Sequence, residues 1–276
     1  MKRNSIRGPW KVAAWFGFCF LIPVAGSHAA PAKRPTPNPG CPAWQDSFDS
    51  GKIDSSRWVV ANGQAPGYIS GNHIGYYQPD HVSIDNGYLK ILLTQEQGLV
   101  DGSQGIISRG GMIYTKAQCG YGTYQWTMRM SSTSSSPTGL GTWVSGSVSA
   151  GFNYVNNSQT EIDFEYSART PDNVWMVNWL NPNPRRNPTS SNETATFADE
   201  PDAPATFHTY TFVWTSTNIS YYIDGTLTSA HTTNIPTAPA YFMINHWGTN
   251  SLGWGGLATP GTARYFYVDS VSFTPQ

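Results

Sequence analysis

The sequence predicts an all-β protein, a two-sheet curved jelly-roll sandwich of the concanavalin-like kind. Three observations point there. No segment keeps the 3.6-residue apolar period of an amphipathic helix. Gly, Ser, Thr, Asn and Pro recur throughout, and short β-branched and aromatic runs lie between them. About fourteen such runs follow one another without a second linker, which suits two antiparallel sheets packed face to face.

The chain of 276 residues opens on a segment outside the fold. Residues 1–11 carry Lys2, Arg3, Arg7 and Lys11 and no acid, and residues 12–26 are almost wholly apolar. Ser27 and Ala29, on either side of His28, then supply the small residues at the positions a signal peptidase reads. Residues 1–29 therefore read as a secretory signal peptide. An uncleaved anchor is the competing reading, but the run is short against the ~20 residues a span needs, and Pro23 interrupts it. Secretion, extracellular or periplasmic, is expected. Residues 30–42 hold Pro31, Pro35, Pro37, Pro39 and Pro42 and read as an extended linker. The domain is expected over residues 43–276.

Expected strands are 58–61, 81–84, 88–94, 105–108, 111–115, 122–130, 146–153, 160–167, 174–179, 209–215, 219–223, 227–231, 240–246 and 264–274. Asn86-Gly87 and Asp224-Gly225 are hairpin-turn signals. Residues 131–141 and 181–204 lack strand character and read as long loops flanking the region around residue 163, as cleft walls would.

The formal net charge is −1, with 12% charged and 14% aromatic residues. Nucleic acid or an acidic membrane would need a basic patch, so neither is expected as a partner. A neutral, sugar-like ligand suits an aromatic-rich, charge-poor chain, and a monomer is expected. Cys19 falls in the signal peptide. Export makes a Cys41–Cys119 disulfide chemically reasonable, two free thiols being the alternative.

Residues 160–167 concentrate the chemistry. In a strand, Glu161, Asp163 and Glu165 share one face, and Ile162, Phe164 and Tyr166 share the other. Three like charges at alternate positions oppose one another, which asks for a functional reason. Retaining glycosidic cleavage needs two carboxyl groups roughly 5–5.5 Å apart. The Cα atoms of Glu161 and Glu165 sit about 13 Å apart on a strand, and two Glu side chains leaning together can close that gap. The roughly 6.5–9.5 Å of an inverting pair is also open to them. In such a cluster one group stays ionised while another is pushed toward its protonated form. A solvated acidic edge and a calcium site are the competing readings, although calcium usually takes ligands from a loop.

Glu161-Ile162-Asp163-Phe164-Glu165 resembles the active-site signature of glycoside hydrolase family 16, in the uninterrupted E-x-D-x-E form of lichenases and of xyloglucan or chitin–glucan transglycosylases. Phe207-His208-Thr209-Tyr210, Tyr222-Ile223-Asp224-Gly225, Met243-Ile244-Asn245-His246-Trp247 and Tyr267-Val268-Asp269 continue the resemblance, which spans roughly residues 44–274. It implies a jelly roll that cleaves β-glucans with retention. Glu161 would be the nucleophile, Asp163 its support, and Glu165 the acid and then the base. Asn178, Trp179 and Trp247 match positions where relatives contact sugar, and Tyr154, Trp143 and Trp254 are further cleft candidates. His208 would be structural and His246 would lie in the cleft or just behind it. No cofactor is implied for catalysis. A structural calcium is, with Asp269 as its carboxylate ligand beside main-chain oxygens near Ser47 and Gly87.

The chain departs from lichenases at Thr160, where they carry an acid, and at Met112 and Tyr114, which fall where they carry a sugar-binding Glu and Arg. The expected function is a secreted retaining endo-β-glycosidase acting on a β-glucan-like polysaccharide. A transglycosylase using the same residues and a non-catalytic glycan-binding jelly roll are the alternatives.

Overall fold

The computed structural model describes residues 41–276. The expected signal peptide, and the linker up to residue 40, lie outside the described residues. In chain order the first strands are β1 Trp44–Asp46, β2 Trp58–Val60, β3 Gly63–Ile69, β4 His73–Tyr77, β5 Val82–Asp85 and β6 Tyr88–Val100. Then come β7 Ser103–Cys119, β8 Gly122–Ser132, β9 Ser147–Val155, β10 Thr160–Ser167, β11 Asn173–Trp179 and β12 Glu193–Asp199. The last five are β13 His208–Trp214, β14 Ile219–Ile223, β15 Thr226–His231, β16 Ala240–Gly248 and β17 Arg264–Pro275.

One antiparallel sheet runs β12-β11-β10-β9-β16-β7-β2, with the acid-bearing β10 near its middle. The other runs β15-β14-β13-β8-β17-β6-β5, and β1 pairs with the far end of β17. The long strands β6 and β7 pass between the sheets. Beyond that crossing they pair with each other, and β4 joins β7 in parallel. Asn86-Gly87 and Asp224-Gly225 do form turns, with φ of 53° and 85° and of 49° and 77°.

The core lies between the sheets. Ile162, Phe164 and Tyr166 of β10 are 0% exposed and pack with aromatic residues of the facing sheet. Phe164 meets Tyr210 at 5.3 Å and Tyr221 edge-on at 5.4 Å. Trp126 stacks on Phe242 at 4.3 Å. Gly151 admits this packing, because a Cβ there would stand 2.8 Å from the Trp126 ring. An aromatic core so close beneath β10 fixes which face of the strand is left for the acids.

Four strands were not foreseen, and residues 105–115 form one strand rather than two. Gly110 and Gly111 break the apolar pattern there without breaking the strand. A Cβ at Gly110 would stand only 2.0 Å from the His246 carbonyl, so glycine is what lets β7 and β16 approach. The 181–204 region is not loop throughout, since it contains β12. Ala and Thr dominate that strand, and it pairs on one side only, so it shows little alternation. β3 carries Pro66 and pairs only with β4, as suits an edge strand. Cys41 and Cys119 form a disulfide with Cα atoms 5.7 Å apart. The end of the expected linker is therefore covalently tied to the domain.

Candidate active site

Strand β10 places Glu161, Asp163 and Glu165 on the face away from the core. Cross-strand register builds the surroundings. Glu161 stands between Tyr154 of β9 and Trp179 of β11, and Trp179 is in turn opposite Glu193 of β12. Asp163 stands between Phe152 and Val177, and Glu165 between Ala150 and Trp175. Further across the sheet the same face carries Tyr241, Met243, Asn245 and Trp247 of β16, then Tyr114 and Met112 of β7. Phe152, Met243, Trp247 and Met112, with Tyr154, Tyr241 and Tyr114 packed against them, belong to a second apolar cluster, separate from the inter-sheet core.

The acids are sunk deep, with Glu161 at 8% exposure and Asp163 at 5%, while Glu165 is partly accessible. Burial pushes Glu161 up to about 7; the Ser158 hydroxyl opposes the rise and the Glu193 carboxylate adds to it. Burial pushes Glu165 up to about 8, with the Glu161 charge reinforcing it and the Trp254 indole opposing it. Asp163 rises well above the carboxylate range, through burial and then the charges of Glu161 and Glu165. Glu193 is pushed to about 7 by burial. Glu161, Asp163 and Glu165 titrate as one interacting row rather than as three independent groups.

Two hydrogen bonds distinguish the ends of the row. The Ser158 hydroxyl donates to Oε2 of Glu161. The Trp254 indole N–H donates to Oε1 of Glu165 at 3.2 Å. Ser158 sits in the β9–β10 turn, where Asn156, Asn157 and Ser158 all have left-handed φ, of 47°, 52° and 60°. Consecutive left-handed non-glycine residues are costly and persist only where surroundings impose them. Here Asn181 holds the turn, its N–H donating to Ser158 O and its amide to Asn157 O, both at 2.8 Å.

Sequence reasoning missed Ser158, Glu193, Trp175 and Phe197. The latter two continue an aromatic row away from Glu165: Trp254 meets Trp175 edge-on at 5.6 Å, and Trp175 meets Phe197 at 5.2 Å. Phe197 is 53% exposed. Once 193–199 is taken as a strand, its period of two puts Glu193 and Phe197 on one face.

The other expected site residues divide. Tyr154, Trp179 and Trp254 are on the acid face beside the carboxylates. Trp143 is exposed, in the β8–β9 loop. Trp247 faces the right way but is 4% exposed, and its ring lies 3.1 Å from where a Cβ on Gly67 of β3 would stand. That roof makes Trp247 part of the floor's support. Asn178 needs correction as a sugar contact. It neighbours Trp179 on a strand, so it points to the opposite face. There it is 0% exposed and donates to the carbonyls of Thr233 and Asn234 at 3.1 and 2.7 Å. His246 is likewise not a cleft residue: it is fully buried, 3.0 Å from Ile91 O and 2.9 Å from the Ser131 hydroxyl. Thr160 also lies on the core side, donating to Ala238 O at 2.7 Å, so its departure from lichenases does not touch the cleft.

Comparison with known proteins agrees with the geometry. The profile of glycosyl hydrolases family 16 matches residues 71–263. A β-glucanase of Acetivibrio thermocellus is 30% identical over 230 residues, covering 80% of this chain and 59% of that protein. The chain thus spans less than two thirds of that relative's length. A β-glucanase of Brevibacillus brevis is 25% identical over 269 residues, covering 94% and 92% of the two chains. The structure of Bacillus licheniformis β-glucanase superposes with a TM-score of 0.67 at 22% identity, over 86% of this chain and 99% of that one, and shows the shared jelly roll. With its acid row, its sheets and its sequence in agreement, the chain belongs to glycosyl hydrolases family 16.

Proposed function

We propose that this protein is a secreted endo-β-glycosidase that hydrolyses a β-glucan-like polysaccharide by double displacement with retention. The observation that carries the reading is the row of three carboxyls on one strand face, Glu161 and Asp163 buried and Glu165 partly accessible, with burial pushing Glu161 up to about 7 and Glu165 up to about 8. Each end of the row has a donor, Ser158 on Glu161 and Trp254 on Glu165, and Glu161, the less raised of the two, is the better held as an anion, which suits a nucleophile. A carboxyl pushed up to about 8 carries a proton at neutral pH, which suits a general acid.

Glu161 attacks the anomeric carbon while Glu165 protonates the departing glycosidic oxygen. The glycosyl ester on Glu161 is then opened by water, whose proton passes to the now ionised Glu165. Asp163, held protonated between its neighbours, supports Glu161 and keeps a second negative charge out of the row. Tyr154 and Trp254 offer faces and edges for a pyranose, with Trp179, 4% exposed, packed beside Glu161, and the relatives named β-glucanase support a glucan.

The aromatic row of Trp254, Trp175 and Phe197 favours a second reading. It begins at the acid/base residue, where it can hold a sugar acceptor in place of water, as a transglycosylase requires. Incubation of the purified protein with a panel of neutral polysaccharides, followed by product sizing, tests both. Shorter oligosaccharides of β configuration support hydrolysis, products longer than the substrate support transfer, and glycan binding with no turnover overturns both.

Asp269 is the proposed ligand of a structural calcium. It stands at an irregularity of β17, partly accessible. The pairing of β1 with β17 brings the Ser47 segment alongside, and Gly87 abuts Asp49. Oxygen donors of this kind fit calcium. Bound there, the ion would fasten the N-terminal strand away from the acids.

A further inference from the structure

We propose that Glu200, Asp202 and His208 form a binding site for a divalent transition-metal ion of the zinc class, unrelated to catalysis. The three residues meet where the chain leaves β12 and enters β13. One ligand atom from each lies within 4.8 Å of the others.

The histidine is prepared for the role. Its Nδ1 lies 2.7 Å from Oδ2 of Asp224, and Oδ1 of Asp224 accepts the Thr209 N–H at 2.7 Å, so that carboxylate is fixed. Carboxylates commonly hold a metal-bound imidazole this way, taking the proton on one nitrogen and leaving a lone pair on the other. The other nitrogen, Nε2, is buried with no hydrogen-bond partner, although the side chain is only 10% exposed. It stands 3.5 Å from Oδ1 of Asp202. Two ligands on a tetrahedral ion at about 2.0–2.1 Å stand roughly 3.3 Å apart, so the spacing admits a shared ion.

One nitrogen and two carboxylates suit zinc or a neighbouring d-block ion rather than calcium, which prefers oxygen alone. Of the three, Glu200 reaches a surface pocket of about 570 Å³, which Asp224 also lines. The three residues stand at the β12–β13 connection and not on β10, which fits a structural ion. Between its ligands the chain makes a tight turn, with the Ala205 and Thr206 N–H groups donating to Asp202 O. The carbonyls of Ala203 and Pro204 in that turn accept from Met130 N and Arg129 Nε, both at 2.9 Å. An ion would clamp this turn to β13.

Calorimetric titration of the purified, chelator-treated protein with zinc chloride tests the site. Wild type is expected to bind one ion per chain at this site. Affinity should fall at least tenfold in Asp202→Asn and His208→Gln, and be unaffected by Asp269→Asn. Melting temperature should rise by about 5–10 °C at a hundredfold excess over Kd in wild type and not in those two variants, with glycan turnover unchanged. Asp202 is 56% exposed, so its variant folds even if the histidine variant does not. Absence of saturable zinc binding, or equal binding by wild type and Asp202→Asn, overturns the proposal.

Discussion

The Ser158 hydroxyl donates to Oε2 of Glu161 from a turn whose three consecutive residues have left-handed backbones. A strained turn is thus joined to the proposed nucleophile by one hydrogen bond. Ser158→Ala removes a donor that favours the Glu161 anion, so the acidity of Glu161 weakens. The acidic limb of the kcat/KM profile should move to higher pH, and activity at pH 6 should drop about tenfold or more. Melting temperature should change little. A pH–rate profile reads this directly.

At the other end of the row, the Trp254 indole favours the Glu165 anion in the same way. Trp254→Phe keeps an aromatic ring and removes the donor. The Glu165 proton is then held more tightly, and the basic limb should move upward in pH. A profile unchanged on its basic side would contradict the role of Glu165.

Glu193 adds negative charge near all three row acids. Glu193→Gln removes that charge, so both limbs should shift to lower pH together. That joint shift separates a through-space charge effect from loss of a substrate contact, which would raise KM without moving the limbs.

The acid row also sets how stability responds to pH. Folded values of about 7 for Glu161, about 8 for Glu165 and about 7 for Glu193 all lie above the ordinary carboxyl value of 4.5. The folded state therefore holds more protons than the unfolded state across that window, and stability falls as pH rises from about 4.5 to about 8. Thermal melts should give a higher midpoint at pH 5 than at pH 8. Glu165→Gln should flatten the dependence and stabilise the protein at pH 8.

The disulfide joins residues 78 positions apart, tying the start of the domain to the end of β7. A Cys41→Ser/Cys119→Ser double variant should lose about 2–4 kcal/mol in denaturant unfolding, with kcat/KM unchanged.

Much of this was legible in the sequence, and the failures have physical causes. A period of two with acids against large apolar residues left β10 only one way to face, so its ends and its row were readable from residues alone. The same period, applied to β11, shows that Asn178 and Trp179 cannot both reach the sugar. Strand β12 was hidden because an edge strand of Ala and Thr, accessible for most of its length, needs no alternation to fold. Ser158 was unreadable for another reason: its place depends on a left-handed turn held by Asn181 from a distant loop. Trp247 matches a position where relatives contact sugar, but Gly67 of β3 packs against its ring, and the glycine and proline of β3 hide that strand in the sequence.

The central claim is that Glu161 forms a covalent glycosyl ester. Inactivation with an activated 2-deoxy-2-fluoro β-glucoside or cello-oligosaccharide, followed by peptide mass spectrometry, tests it most directly. The expected result is a single sugar adduct on Glu161, absent in Glu161→Gln. An adduct on Glu165 or Glu193, or turnover that persists in Glu161→Gln, would contradict the assignment.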